Sequence, residues 1–232
     1  MLPLDKNNLF SDVIINQWAP QIKDSLPSFR GKLLQDNGVP HPDLLRVIDA
    51  VDRHFLFPGY QDYFRSLMCR EKVVFSHCDA HEYNILAMRR DATKTMLIDF
   101  EYCGWQPRAF DLANYLNEVA FDNVYPYKKG IALYTQNLMG EAEIRDFLTQ
   151  YLRHEHKHLA VGDVNVDDYI KTELPKLTEE VHKNILLNNW CWGIWALKML
   201  KPADVTSETV FNYDFADLRV QLYLHQKKLL NI

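Results

Sequence analysis

The chain has little glycine, and none of it is grouped. Its eight glycines (Gly31, Gly38, Gly59, Gly104, Gly130, Gly140, Gly162 and Gly193) nowhere form a G-x-G. A glycine-rich strand–turn of the kind that covers nucleotide phosphates is therefore missing. Cysteine is sparse too: Cys69, Cys78, Cys103 and Cys191 are scattered and show no C-x-x-C spacing. That argues for reduced thiols in a cytosolic setting rather than a disulfide framework. No apolar run reaches the roughly 20 residues of a membrane span; the stretch Trp190–Leu200 is too short and is broken at Lys198. The N-terminal MLPLDKNNLF, interrupted by Asp5, Lys6 and two asparagines, does not read as a signal peptide. Positive charge is not in excess: net charge is −5 with a pI near 6.0, which argues against nucleic acid as main partner. Internal repeats, low-complexity tracts and Pro/Gly/Ser linkers are also absent.

What is present is apolar bulk. With 232 residues, 47% hydrophobic and 12% aromatic, the chain can bury a full core as one domain with at most a subsidiary lobe. Helical spacing recurs before residue 73: Leu44, Leu45, Ile48, Val51 and Phe55 form one set, and Tyr60, Tyr63, Phe64 and Leu67 another. Pro42 stands near the start of the first helix, and Pro58-Gly59 separates the two. Later, Phe110, Ala113, Leu116 and Ala120 make one stripe, and Leu177, Val181, Ile185, Trp192, Trp195 and Met199 another. Between these helical regions, Val73–Phe75, Ile85–Met88 and Met96–Ile98 read as short buried strands. A last helix is expected after Asp214, its Lys227-Lys228 complementing the dipole. His154, His156 and His158 fit a solvated helix end better than a metal site, since only His154 and His158 share a face. The acidic stretch Val161–Asp168 reads as an exposed connection.

Chemistry concentrates between residues 73 and 101. His77-x-Asp79 is followed by Asn84 five residues after the aspartate and, across a hairpin-sized gap, by Asp99-Phe100-Glu101. Phosphoryl transfer needs a carboxylate to take the proton of an attacking hydroxyl, which suits Asp79. It also needs hard oxygen ligands for Mg²⁺, which Asn84 and Asp99 supply. His-x-Asp-x4-Asn alone recurs by chance; Asp99 behind a strand of the right length makes the pattern specific. The competing reading is an ordinary hairpin with solvated carboxylates.

The following residues carry a family resemblance. Asp99-Phe100-Glu101-Tyr102, then Arg108, Phe110-Asp111, Asn114 and Glu118, then Trp192-Gly193-x-Trp195 and His225-Gln226-Lys227, resemble the choline/ethanolamine kinases. Protein kinases would carry Asp-Phe-Gly and Ala-Pro-Glu segments, which this chain lacks. Aminoglycoside phosphotransferases share the Asp79/Asn84/Asp99 arrangement without the tryptophan pair. The resemblance implies transfer of the γ-phosphoryl group of ATP, with Mg²⁺, to choline or ethanolamine in phospholipid synthesis, in the cytoplasm, with a homodimer compatible. It gives Asp79 the role of base and Asn84 and Asp99 those of metal ligands, with Glu101 assisting a second ion. His77, Arg108 and Asp111 become structural supports, and Glu118, Trp192, Trp195, Tyr213 and Phe215 become the ammonium site. A quaternary ammonium has no N–H to donate, so aromatic faces and carboxylates must recognise it.

The resemblance also implies a fold: mainly α with a small β-hairpin, the C-terminal lobe of the protein-kinase-like fold with the N-terminal β-rich lobe absent. Residues 1–72 form a helical linker region, 73–101 the catalytic loop and hairpin, and 102–232 the helical substrate-binding region. A non-catalytic relic or scaffold unable to bind ATP is the rival reading, and a small-molecule kinase like the aminoglycoside phosphotransferases is a second alternative. Three positions depart from the family pattern. Cys78 replaces a small polar residue, Tyr83 stands where glycine is usual and is expected to crowd the metal site, and Asn123 replaces a pocket aromatic.

Overall fold

Helical periodicity dominates the chain, and the structure, a computed structural model, follows it. Residues 6, 9–35, 42–122, 131–158, 164–199 and 207–232 are described. The elements run α1 (Phe10–Val13), a π-helical turn (Ile14–Trp18), α2 (Ala19–Gln35), α3 (Pro42–His54), α4 (Tyr60–Ser66), β1 (Val73–Ser76), β2 (Ile85–Met88), β3 (Asp91–Leu97) and β4 (Gly104–Pro107). They continue with α5 (Arg108–Glu118), β5 (Phe121–Asp122), β6 (Ala132–Leu133), α6 (Glu141–His158), α7 (Val166–Lys198) and α8 (Ser207–Leu230). Among the described residues no strand precedes Val73, as the helical spacing of that region predicts.

Helix α7 is the axis of the molecule. The Asn165 side chain caps it by accepting from Asp167 N–H at 2.8 Å, and Asp167 and Asp168 complement the dipole in its first turn. The helix therefore starts inside the stretch read as a loop through Asp168. The first half of α7 packs Leu174, Leu177, Val181 and Ile185 with Ala113 and Leu116 of α5 and Leu148 and Leu152 of α6. Its second half is buried nearly all round, by α1 to α4 on one side and α8 on the other. Trp190 stacks on Phe64 with ring centroids 4.3 Å apart and donates Nε1–H to the Phe55 carbonyl at 2.9 Å. Gly193 is required here: a Cβ would come within 2.4 Å of the Phe55 ring. Helix α8 begins before Asp214 rather than after it.

Among the described residues the β structure is three separate antiparallel pairs, β1–β4, β2–β3 and β5–β6. The sequence reading missed β4, which pairs Val73 with Pro107 and Ser76 with Gly104. It also expected buried strands, yet Leu86, Met88, Met96 and Leu97 of the β2–β3 hairpin are exposed. An apolar run signals a strand but not what covers it. The hairpin pairs Ile85 with Leu97 and Ala87 with Thr95, shifting register at Met88.

Candidate functional site

The loop after β1 is held from three sides. His77 and Cys78 donate their backbone N–H groups to Asp111 Oδ2 and Oδ1 at 2.8 and 2.7 Å. Asp111 sits in the first turn of α5, so a helix start clamps the loop, as expected for a supporting aspartate. Burial pushes its pKa up, and the two N–H groups oppose that. The clamp holds Cys78 at φ 69°, a left-handed conformation costing a non-glycine residue about 1–2 kcal/mol. His77 Nδ1 accepts from Asp79 N–H at 3.3 Å, which leaves Nε2–H to donate to the Ile98 carbonyl at 2.8 Å. Ile98 N–H in turn donates to the Asn84 carbonyl at 3.0 Å. One imidazole and one backbone bond thus align the two segments that carry Asp79, Asn84 and Asp99. Asp99 is also left-handed, at φ 62°.

Asn84 lies in a 3₁₀ turn (Glu82–Asn84) capped by the His81 ring, which accepts from Tyr83 N–H. Asn84 Nδ2 donates to Asp79 Oδ2 at 3.2 Å and to the Asp79 carbonyl at 2.9 Å. That leaves the oxygen of the amide for a hard cation. Tyr83 is exposed and sits against His81, so it does not crowd the site as the sequence suggested. Burial raises the pKa of Asp79 to about 6; the charges of Glu118 and Asp99 add to this, while His81 and Arg219 pull it back. Accumulated negative charge of this kind is what a divalent cation relieves. Among the described residues no three His, Cys, Asp or Glu side chains converge as a metal cage. A carboxylate and an amide beside open space suit Mg²⁺, which keeps its waters and takes substrate oxygens.

Asp79 opens into a cavity of about 190 Å³ lined by His81, Glu101, Tyr102, Glu118, Trp192, Trp195, Phe215 and Arg219. Trp192 and Trp195 meet edge to face at 5.3 Å, and Tyr102 lies 5.2 and 6.1 Å from them. Each indole is fixed through its N–H: Trp192 donates to Asn114 Oδ1 at 2.8 Å and Trp195 to Tyr102 Oη at 3.1 Å. Phe215 stands 6.0 Å from Trp195. Tyr213, expected beside it, is buried elsewhere, in an apolar niche with Ile22, Leu26, Phe29, Ile48 and Leu197. On α8 the two residues are successive odd positions, so they point in different directions.

Glu118 is buried, as its apolar surroundings suggested, but its cation is internal: Arg219 Nη2 donates to Glu118 Oε1. The guanidinium also lies 4.2 and 4.6 Å from the rings of Phe121 and Phe215. Sequence reading missed Arg219, Tyr102 and His81; nothing in the spacing of α8 separates Arg219 from a solvated helix charge. Arg108 lies away from the cavity. It is buried and bonds Glu155, Glu173 and Glu180 at 3.0–3.3 Å, so it ties α5 to α6 and α7 instead of the catalytic loop. Lys72 joins this network and, with Lys176, holds the Glu173 pKa down to about 2. Asn123 lies outside the described residues.

Comparison with known proteins gives a consistent result. A family model described as choline/ethanolamine kinase matches residues 4–224. Curated relatives include choline kinase alpha of Mus musculus, 28% identical over 175 residues (72% of this chain, 37% of the relative). The choline/ethanolamine kinase of Homo sapiens is 30% identical over 166 residues (67% and 38%). The chain thus spans less than two fifths of the length of these relatives. In solved structures, choline kinase from Cryptosporidium parvum Iowa II superposes with a TM-score of 0.55 at 19% identity, covering 94% of this chain and 57% of that one. Plasmodium vivax ethanolamine kinase gives 0.54 at 19%, covering 90% and 48%. These two likenesses establish the fold: the kinase-like helical architecture with small sheets.

Proposed function

The chain belongs to the choline/ethanolamine kinase family, and from that premise we propose that it forms the acceptor-binding part of an enzyme that moves the γ-phosphoryl group of ATP to the hydroxyl of choline or ethanolamine. One observation carries this reading: a single small cavity contains both Asp79, a carboxylate tuned close to neutrality, and the indoles Trp192 and Trp195. General bases work best with a pKa near the operating pH.

In this reading the acceptor's ammonium lies among the faces of Tyr102, Trp192 and Trp195. The Phe215 ring has Arg219 against it and serves as wall. Glu118, neutralised by Arg219, shapes the floor instead of contributing a free charge. The hydroxyl turns toward Asp79, which Asn84 Nδ2 holds in place and which takes the hydroxyl proton as the oxygen attacks. Asn84 Oδ1, Asp99 and Glu101 are the groups that would hold Mg²⁺; when bound, the ion neutralises charge on the transferred phosphate. The product, a phosphorylated amino alcohol, is a precursor for phospholipid synthesis, made in the cytoplasm.

Calorimetry on the 232-residue chain tests the acceptor site without requiring turnover. Choline should give saturable binding, and 3,3-dimethyl-1-butanol, its uncharged carbon isostere, should give none. No binding of choline, or equal binding of the isostere, would remove the basis for the reading.

A further inference from the structure

A buried amide side chain is costly unless its donors and acceptor are used, and this molecule sets four together in its interior. Asn114 and Asn117 on α5 and Asn188 and Asn189 on α7 are all fully buried. With two residues of α8 they form a single file. Arg219 Nη1 donates to Asn189 Oδ1 at 3.3 Å, Asn189 Nδ2 to Gln226 Oε1 at 2.7 Å, and Gln226 Nε2 to Asn117 Oδ1 at 2.8 Å. Asn117 Nδ2 then donates to Asn188 Oδ1 at 3.0 Å, Asn188 Nδ2 to Asn114 Oδ1 at 3.0 Å, and Asn114 Nδ2 to the Ala80 carbonyl at 3.2 Å. The spare protons of Asn117 and Asn189 both go to the Ile185 carbonyl at 3.1 Å.

The direction of the file is chemically fixed. Its head, a guanidinium, can only donate, and its foot, a peptide carbonyl, can only accept. Trp192 Nε1–H, also a donor only, locks Asn114 Oδ1 in the same sense. Turning any one amide over would set donor against donor on one side and acceptor against acceptor on the other. Bonds aligned this way polarise one another, so a change at one end is felt along the file.

The two ends meet the same cavity. Arg219 is paired with Glu118 in its wall, and Ala80 follows Asp79 in the catalytic loop. We propose that the file is a positioning device: Asn188 and Gln226, neither of which lines the cavity, set the Asp79 loop and the Trp192 indole against the Glu118–Arg219 pair. Its meaning for catalysis rests on the reading of Asp79 as base. The file itself can be tested without that reading.

Proton exchange followed by NMR on the 232-residue chain gives the test. Gln226→Met keeps length and apolar volume and removes both amide bonds. The Trp192 indole N–H and the Asn114 side-chain amide, neither of which touches Gln226, should then exchange about fivefold faster, the equivalent of one lost hydrogen bond. Asn184→Leu is the control: it is equally buried on α7, but its Nδ2 bonds only the Glu180 carbonyl of its own helix, at 2.8 Å. It should leave both rates unchanged. If Gln226→Met does not fold, Glu118→Gln perturbs the head of the file and should accelerate the same two protons. Unchanged rates at Trp192 and Asn114 in the folded variant, or equal acceleration in Asn184→Leu, would overturn the proposal.

Discussion

The cavity wall of the candidate site and the neighbouring β2–β3 hairpin are built by opposite means. On the acceptor side, Trp192, Glu118, Arg219 and Phe215 are buried, each fixed by a hydrogen bond, an ion pair or a ring contact from α5, β5, α7 or α8. The β2–β3 hairpin, by contrast, presents Leu86, Met88, Met96 and Leu97 to solvent. Three packed helices hold the acceptor wall, whereas nothing among the described residues covers the hairpin. In the proposed reading, selectivity for the acceptor belongs to the packed helices, and the exposed hairpin takes no part in it. Kinase-like catalysis is mostly positioning and electrostatics, so the two sides should respond very differently to substitution.

The largest expected effect is at the junction of the two. Where turnover is measured, Asp79→Asn should lower kcat by about 10²–10⁴-fold, the contribution of a positioned base. Wild-type kcat in the purified variant would take that role away. Next is the acceptor wall itself. Arg219→Met leaves Glu118 buried without its cation, and urea denaturation should show a loss of about 3–5 kcal/mol. A loss under 1 kcal/mol would mean the pair is solvated.

A smaller effect follows from the pKa of Asp79. Raised from 3.8 to about 6 in the folded protein, the carboxyl favours the native state when protonated. Its contribution is complete below pH 3.8 and is lost as pH rises through 6. A shift of that size corresponds to at most about 3 kcal/mol, and partial exposure reduces it to about 1–2. Thermal melts of Asp79→Asn should therefore show stabilisation at pH 7.5 that shrinks as pH falls through 6; stabilisation independent of pH would contradict the assignment. The smallest effect belongs to the β2–β3 hairpin. Leu86→Thr and Met96→Thr should change stability by less than about 0.5 kcal/mol. Losses above 1.5 kcal/mol would show that the hairpin is covered in the folded protein.

These differences follow how legible each part was in the sequence. Helical stripes are local signals, so α3, α4, α5 and the core face of α7 could be read from spacing alone. That His77, Asp79 and Asn84 lie close to the segment of Asp99 was legible because they are near in sequence, joined by one loop and one hairpin. Partnerships across long separations were not. Arg219 is 101 residues from Glu118, and Gln226 is 109 from Asn117, distances at which no periodicity operates. Tyr213 shows the converse failure: an aromatic at a matching position turns away because a helix sends neighbouring residues to different faces. The exposed hairpin failed for a third reason, since apolar composition was read as burial.

The central claim is that the acceptor's selectivity lies in the tryptophan pair of this chain. Calorimetric titration of wild type and Trp195→Ala with choline and with ethanolamine tests it most directly. Choline has no N–H to donate, so π-faces and shape must hold it, whereas ethanolamine keeps N–H donors for nearby oxygens. Losing one indole face should weaken choline binding by about 0.5–2 kcal/mol and ethanolamine binding by distinctly less. Equal losses for both ligands would mean that Trp195 is packing alone.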